Sequence, residues 1–184
     1  MTSFGERLVR LSDRFYDRMR DPRACEVAHG EATAAGFDAL RGKKYCVLVS
    51  YRRSDEPVPT PVWFGLDAEG RLYVRTGADA AKVKRIRANP RVRVAPSNVR
   101  GRPTGPIAEG LARVLGAQDA DHAERALQDN YGLERRLYER VFGSSAVALV
   151  YLEVTPAPAQ QASVADRVTG VAAPVAQPPG GQAA

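Results

Sequence analysis

The sequence predicts a mainly β protein, a barrel of about six antiparallel strands with flanking helices. Three observations lead there. Short runs of β-branched, aromatic and aliphatic residues recur between positions 45 and 154, each of strand length. Clusters of Gly, Pro, Asp and Asn separate many of them. Helical spacing between the runs is confined to residues 80–88 and 117–142. A chain of 184 residues supports one core and is too short for two ordinary domains.

In chain order, Leu8, Leu11, Phe15 and Met19 lie at helical spacing among arginines and aspartates, which predicts a surface helix over residues 4–19. The pattern then weakens into small and polar residues until Phe37, Leu40 and Gly42, which read as a helical turn feeding a strand. Residues 45–51 (YCVLVSY) form the first strand, closed by a polar turn at 52–57. Residues 60–66 (TPVWFGL) and 71–76 (RLYVRT) flank the turn Asp67, Ala68, Glu69, Gly70 and are expected to pair as a hairpin. Alternation puts Leu72 and Val74 on one face of the second of these, with Tyr73 and Arg75 on the other.

Residues 80–88 read as a short helix with Val83 and Ile86 on its apolar face, stopped at Asn89 and Pro90. The alternating run at 91–95 (RVRVA) is a strand, and 96–106 a loop of glycine, proline and arginine. A strand at 107–115 follows, then two helical stretches broken near Gly132, then a last strand at 146–154. Three parts result: a helical N-terminal extension over 1–36, the barrel over 37–156, and a disordered tail of Ala, Pro, Gln and Gly over 157–184.

An apolar fraction of 44% and a charged fraction of 26% are those of a soluble globular protein. The longest apolar run, 146–152, is of strand length, and the N-terminus is charged without a signal-peptide core, so the expectation is a cytoplasmic protein with no membrane partner. Cys25 and Cys46 have no companion histidines at ligand spacing, which argues against a zinc site or a disulfide framework and leaves Cys46 as strand packing. No metal site is expected. His29 and His122 both read as solvated surface histidines. Phosphate-cradling and dinucleotide glycine motifs are absent, as is a nucleophile elbow. No catalytic side chain stands out, so an enzyme built on this sequence would take its reactive atom from a cofactor.

A net charge of +6 calls for an anionic partner, and the charge concentrates in Lys82, Lys84, Arg85, Arg87, Arg91 and Arg93, with Arg100 and Arg102 beyond. Such a run is either a solvated basic helix or an anion-docking turn. The second reading has support from the free N–H groups of a helix's first turn and from the Thr76 hydroxyl at the end of the preceding strand. Nucleic acid is not expected, because no aromatic residue interleaves with the basic ones between Lys82 and Arg102. Trp63 is either a barrel core residue or, with Thr60, Pro61 and Val62, one edge of a pocket for a flat ring.

The succession TPVWF (60–64), LYVRT (72–76), KVKRIRANPRV (82–92) and RGR (100–102) resembles the deazaflavin-dependent branch of the pyridoxamine 5′-phosphate oxidase-like split β-barrels, within the FMN-binding split barrel superfamily. The resemblance spans residues 40–154, and the 82–92 run is its specific part. It implies a homodimer with two cofactor sites at the subunit interface and hydride transfer between reduced coenzyme F420 and a small organic substrate. Carried over by position, Thr60, Pro61, Val62 and Trp63 line the ring, Thr76, Lys82, Lys84 and Arg85 hold the phosphate, and Arg100 and Gly101 approach from the loop. Ala80 and Ala81 stand where many relatives have serine and glycine, and Ser97 where they have cysteine, so some phosphate contacts of the family are missing. The alternatives are an FMN-binding oxidase or reductase on the same fold and a non-catalytic cofactor-binding protein.

Overall fold

The computed structural model describes residues 20–131 and 148–158. Within them eight strands form one sheet: β1 (Ala32–Ala34), β2 (Tyr45–Tyr51), β3 (Pro57–Trp63), β4 (Gly65–Leu66), β5 (Leu72–Gly77), β6 (Arg91–Ser97), β7 (Ile107–Val114) and β8 (Leu149–Pro156). Helices α1 (Glu26–His29), α2 (Ala81–Ala88) and α3 (Ala120–Tyr131) pack around it, with 3-10 turns at Pro22–Cys25, Asp38–Leu40 and Ala117–Asp119. The sheet order is β3-β2-β6-β7-β8-β5-β4, antiparallel throughout, and β1 adds in parallel to the start of β7. The sheet is a curled, split barrel. Its two ends, β3 and β4, are separated in sequence only by Phe64, so the curl brings them together while the ladder stays open between them.

Both faces of the sheet are covered, which is why YCVLVSY reads as a continuous apolar run. Cys46, Leu48, Val62, Leu72, Val74, Val94, Leu152 and Val154 fill the barrel, and α2 caps its mouth by inserting Val83 and Ile86. Each such side chain contributes about 1.5–3 kcal/mol by leaving water. On the outer side, Ala24, Val27 and Ala28 cover Val47, Val49 and Ala95. A third cluster joins Tyr73 to Leu115, Ala123 and Ala126 beneath α3.

Several expectations need correction. The predicted hairpin does not form as drawn: residues 57–63 pair with β2, and only Gly65 and Leu66 pair with β5. The second strand begins at Pro57 inside the expected turn, and Pro57, Pro59 and Pro61 alternate along it. A proline has no N–H to give a ladder, so these three positions face away from β2 on the sheet edge, where Arg20 donates from Nη1 to the Pro59 carbonyl (2.8 Å). Proline there also blocks pairing with another chain. Tyr73, on the face of β5 opposite Leu72 and Val74, is buried because α3 covers that face. Residues 22–34, expected within a loosely patterned extension, supply α1 and β1 to the barrel wall. Pro96 and Ser97, placed in a loop, end β6. The helix over 4–19, the helical stretch after Gly132 and the tail beyond 158 lie outside the described residues. Among the described residues no helix is long and apolar enough to cross a membrane.

Candidate cofactor-binding site

Strand alternation divides the four predicted residues of β3 into an inner and an outer pair. Cross-strand partners share a face, so Thr60 opposite Leu48 and Val62 opposite Cys46 turn towards the barrel interior. Pro61 opposite Val47 and Trp63 opposite Tyr45 turn outward.

Thr76, Lys82 and Arg85 gather at the barrel mouth. Thr76 shares the parity of Leu72 and Val74 on β5, and its Oγ1 accepts from Lys82 Nζ at 3.2 Å. Lys82 and Arg85 are three residues apart and lie on one face of α2, where Arg85 Nε donates to Ser50 Oγ at 2.9 Å. Ser50 is buried on the inward face of β2, two positions from Leu48. Lys84 falls on the far side of the helix and is exposed. The N-cap of α2 is Ala80, which offers no side-chain cap, and its first turn holds no acidic residue, although the exposed Asp79 comes just before. Donors that suit an anion therefore converge here from β2, β5 and α2.

The outer group forms around Gly101. With φ at +84°, Gly101 takes the left-handed conformation, and a Cβ on it would stand 2.6 Å from Pro61 Cγ. The loop thus lies directly on β3. Asn98 Oδ1 accepts from the backbone N–H groups of Arg100 and Arg102, and the Asp21 N–H donates to the Arg100 carbonyl, which fixes this turn with the Arg100 side chain exposed. Trp63 is partly exposed; its indole stacks on Tyr131 with centroids 4.4 Å apart and planes at 19°, and meets the Tyr45 ring nearly at right angles at 5.6 Å. It is therefore neither a barrel-core residue nor a neighbour of the Thr76, Lys82, Arg85 cluster on the same face. Neither the groove of about 510 Å³ between α2 and β7 nor the smaller one of about 190 Å³ beside Phe64 and Asn130 is lined by any of the ten residues.

A sequence model described as pyridoxamine 5′-phosphate oxidase matches residues 32–164, well over half of the chain. The chain belongs to the pyridoxamine 5′-phosphate oxidase family. No match was found among curated proteins. Among solved structures it is similar to a Listeria innocua protein named for pyridoxamine 5′-phosphate oxidase, at 22% identity over 64% of this chain and 87% of that one, with a TM-score of 0.46. It is also similar to an FAD-binding protein of Mesorhizobium loti (16% identity, 64% and 82% covered, TM-score 0.46) and to the heme storage protein HutZ of Vibrio cholerae (14% identity, 65% and 86% covered, TM-score 0.48).

Beside the split of this pyridoxamine 5′-phosphate oxidase-family barrel lies a polar network that sequence reasoning missed. Tyr73 Oη is 3.0 Å from Asp67 Oδ2 and 3.2 Å from Glu153 Oε2, with both carboxylates buried. Asp67 also accepts from the Arg71 backbone N–H (2.8 Å), Arg71 Nε (2.8 Å) and His122 Nε2 (3.2 Å), while Glu153 accepts from Arg113 Nε (2.7 Å). Burial pushes the Asp67 carboxyl up, but the bonds from Arg71, His122 and Tyr73 outweigh it and hold its pKa at about 2. Burial, then the adjoining Asp67, pushes the Tyr73 phenol well above its usual range. The surface reading of His122 is thereby corrected: it is half-exposed but tied to Asp67 and edge-on to Tyr73. Asp67, Glu69 and His122 place donor atoms within 4.8 Å of one another, yet the Arg71 guanidinium reaches Asp67 and Glu69 (3.1 Å), so an internal cation already balances these carboxylates.

Ser50 and Tyr131 were also missed. Ser50 is a lone hydroxyl at an inward position of an apolar strand, and Ala123, Leu127 and Tyr131 recur every fourth residue, so both had a signal in the pattern. Cys46 is buried, as its place in the strand suggested, with burial pushing its thiol up, and both cysteines are free.

Proposed function

We propose that this protein is an oxidoreductase whose cofactor phosphate is held at the barrel mouth by Thr76, Lys82 and Arg85, with coenzyme F420 as the first-choice cofactor and a small organic molecule as substrate. The observation that carries the reading is the convergence of Lys82, Arg85, Thr76 and Ser50 on one end of the barrel beside an acid-free helix start. Two charged donors on α2, held in place by hydroxyls on β5 and β2, keep their geometry without a ligand, which lowers the ordering cost of binding an anion. When bound, such a coenzyme supplies hydride transfer. The chain's residues bind and orient it, and the partly exposed Trp63 indole on the outer side of β3 offers a flat apolar surface.

F420 is favoured over FMN by the second cationic group, Arg100 with Arg102 and Arg20, on the outer side of β3. A phosphate followed by an oligoglutamate tail suits two separated basic areas, whereas a compact phosphate needs only the first. FMN is supported by the compactness of that first cluster. A homodimer belongs to the same proposal, since a partner barrel would supply the missing wall over β3. Titrating purified protein separately with F420 and FMN tests it. Tight F420 and weak FMN binding is the expected result, the reverse selects FMN, and binding of neither overturns both. Binding without turnover across a substrate panel would leave a cofactor carrier.

A further inference from the structure

The geometry points to Tyr131 as a positioning residue for the cofactor ring, acting through Trp63; the inference rests on the function proposed above. The split in the barrel creates a local problem at Phe64. Its backbone lies between β3 and β4, outside any ladder, and a buried N–H or C=O without a partner is costly. The last turn of α3 supplies both partners. The Phe64 N–H donates to the Tyr131 hydroxyl oxygen at 3.0 Å, and Asn130 Nδ2 donates to the Phe64 carbonyl at 2.8 Å. The same two residues reach the start of β2. Tyr131 O–H donates to the Lys44 carbonyl, Asn130 Nδ2 to the Lys43 carbonyl at 3.0 Å, and Lys44 Nζ to the Asn130 carbonyl. Next to Phe64, Gly65 lets the helix approach so closely that a Cβ there would stand 2.4 Å from the Ala126 backbone.

Trp63 immediately precedes this junction, so its backbone is anchored by α3 and its indole by the Tyr131 ring. Tyr131 is itself 3% exposed, and Lys44 Nζ sits 5.2 Å from its ring centroid. Tyr131 is therefore out of reach of a ligand, while the partly exposed indole in front of it is not. A tryptophan held between a stacked tyrosine and a Tyr45 ring at right angles to it has one orientation rather than several, and a flat ring then meets a surface already ordered. Tyr131 governs affinity for the ring without touching it.

Trp63 is the chain's single tryptophan, so its fluorescence reports this contact without ambiguity. The test compares wild type, Tyr131→Phe, Tyr131→Leu, Trp63→Leu and the Trp63→Leu/Tyr131→Leu double variant, titrated with F420 and with FMN. Tyr131→Phe keeps the stack and is expected to lose less than about threefold in affinity, while Tyr131→Leu loses about tenfold and shifts Trp63 emission to the red. In the double variant the loss is expected to equal that of Trp63→Leu alone, because both changes remove one interaction. Additive losses, or wild-type affinity in Tyr131→Leu, overturn the inference and leave the cofactor proposal standing. A wild-type protein that binds neither cofactor sinks the proposal itself and the inference with it. Tyr131→Met, closer in volume and adaptable, gives the same comparison if Tyr131→Leu does not fold.

Discussion

At the residue scale, Lys82 and Lys84 look interchangeable in sequence but occupy opposite sides of α2. Lys82 lies with Arg85 over the barrel mouth and Lys84 faces water. A charged hydrogen bond to a ligand is worth about 1.5–3 kcal/mol. Lys82→Ala and Arg85→Ala are thus each expected to weaken cofactor binding by that amount, and Lys84→Ala by about 0.5 kcal/mol or less, as measured by titration. Equal effects from all three would place the phosphate elsewhere. Asp67 supports a different prediction. Its carboxyl titrates near 2 in the folded chain, below the ordinary carboxylate value of about 3.9, so the ionised, hydrogen-bonded form stabilises the fold above about pH 4. That contribution fades as the pH falls from about 4 towards 2. Asp67→Asn is expected to lower stability by about 1–2 kcal/mol at pH 7, a figure kept small because the Arg71 partner is half-exposed, and the gap to wild type is expected to narrow below about pH 4 and close near about pH 2 in thermal melts. A gap constant across that range would contradict the assignment.

At the scale of elements, the helix at 80–88 and the strand at 91–95 could be read locally, and pairings between distant segments could not. Residues 80–88 announce a helix because Val83 and Ile86 share a face, and both are buried in the structure. Residues 91–95 alternate and form β6. By contrast, Pro57 and Pro59 read as a turn, since nothing nearby shows that their N-less edge faces away from β2. The 60–66 and 71–76 runs suggest a hairpin because they are adjacent, whereas the barrel uses Phe64 as a hinge and pairs β5 mainly with β8. The site followed the same rule. The shared face of Lys82 and Arg85 was legible from their spacing, but the separation of Thr60 and Val62 from Pro61 and Trp63 depended on the register with β2. The role of α3 at the hinge yields a prediction. Gly65→Ala must push the helix away from the split, since its Cβ would lie 2.4–2.5 Å from backbone atoms that cannot rotate aside. A loss of about 1–3 kcal/mol is expected in urea unfolding, with a change in Trp63 emission as the Tyr131 stack loosens. Unchanged stability would mean that α3 is not seated on β4.

For the molecule as a whole, the relevant quantity is where the positive charge lies relative to β3. The net charge is +6, and two cationic groups stand on opposite faces of that strand, Lys82 with Arg85 on the inner side and Arg100 with Arg102 on the outer. An anion confined to the inner group neutralises one small cluster, whereas an extended polyanion crossing the edge of β3 meets both. Salt screens exposed charges over about 8–10 Å at physiological strength, so each added contact steepens the dependence of affinity on ionic strength. F420 binding is therefore expected to weaken more steeply than FMN binding between low and high sodium chloride. Arg100→Ala is expected to flatten the F420 curve while leaving the FMN curve in place. Parallel curves for the two cofactors would confine the anion to the barrel mouth, and the outer arginines would then serve only to hold the Asn98 to Arg102 turn against Pro61.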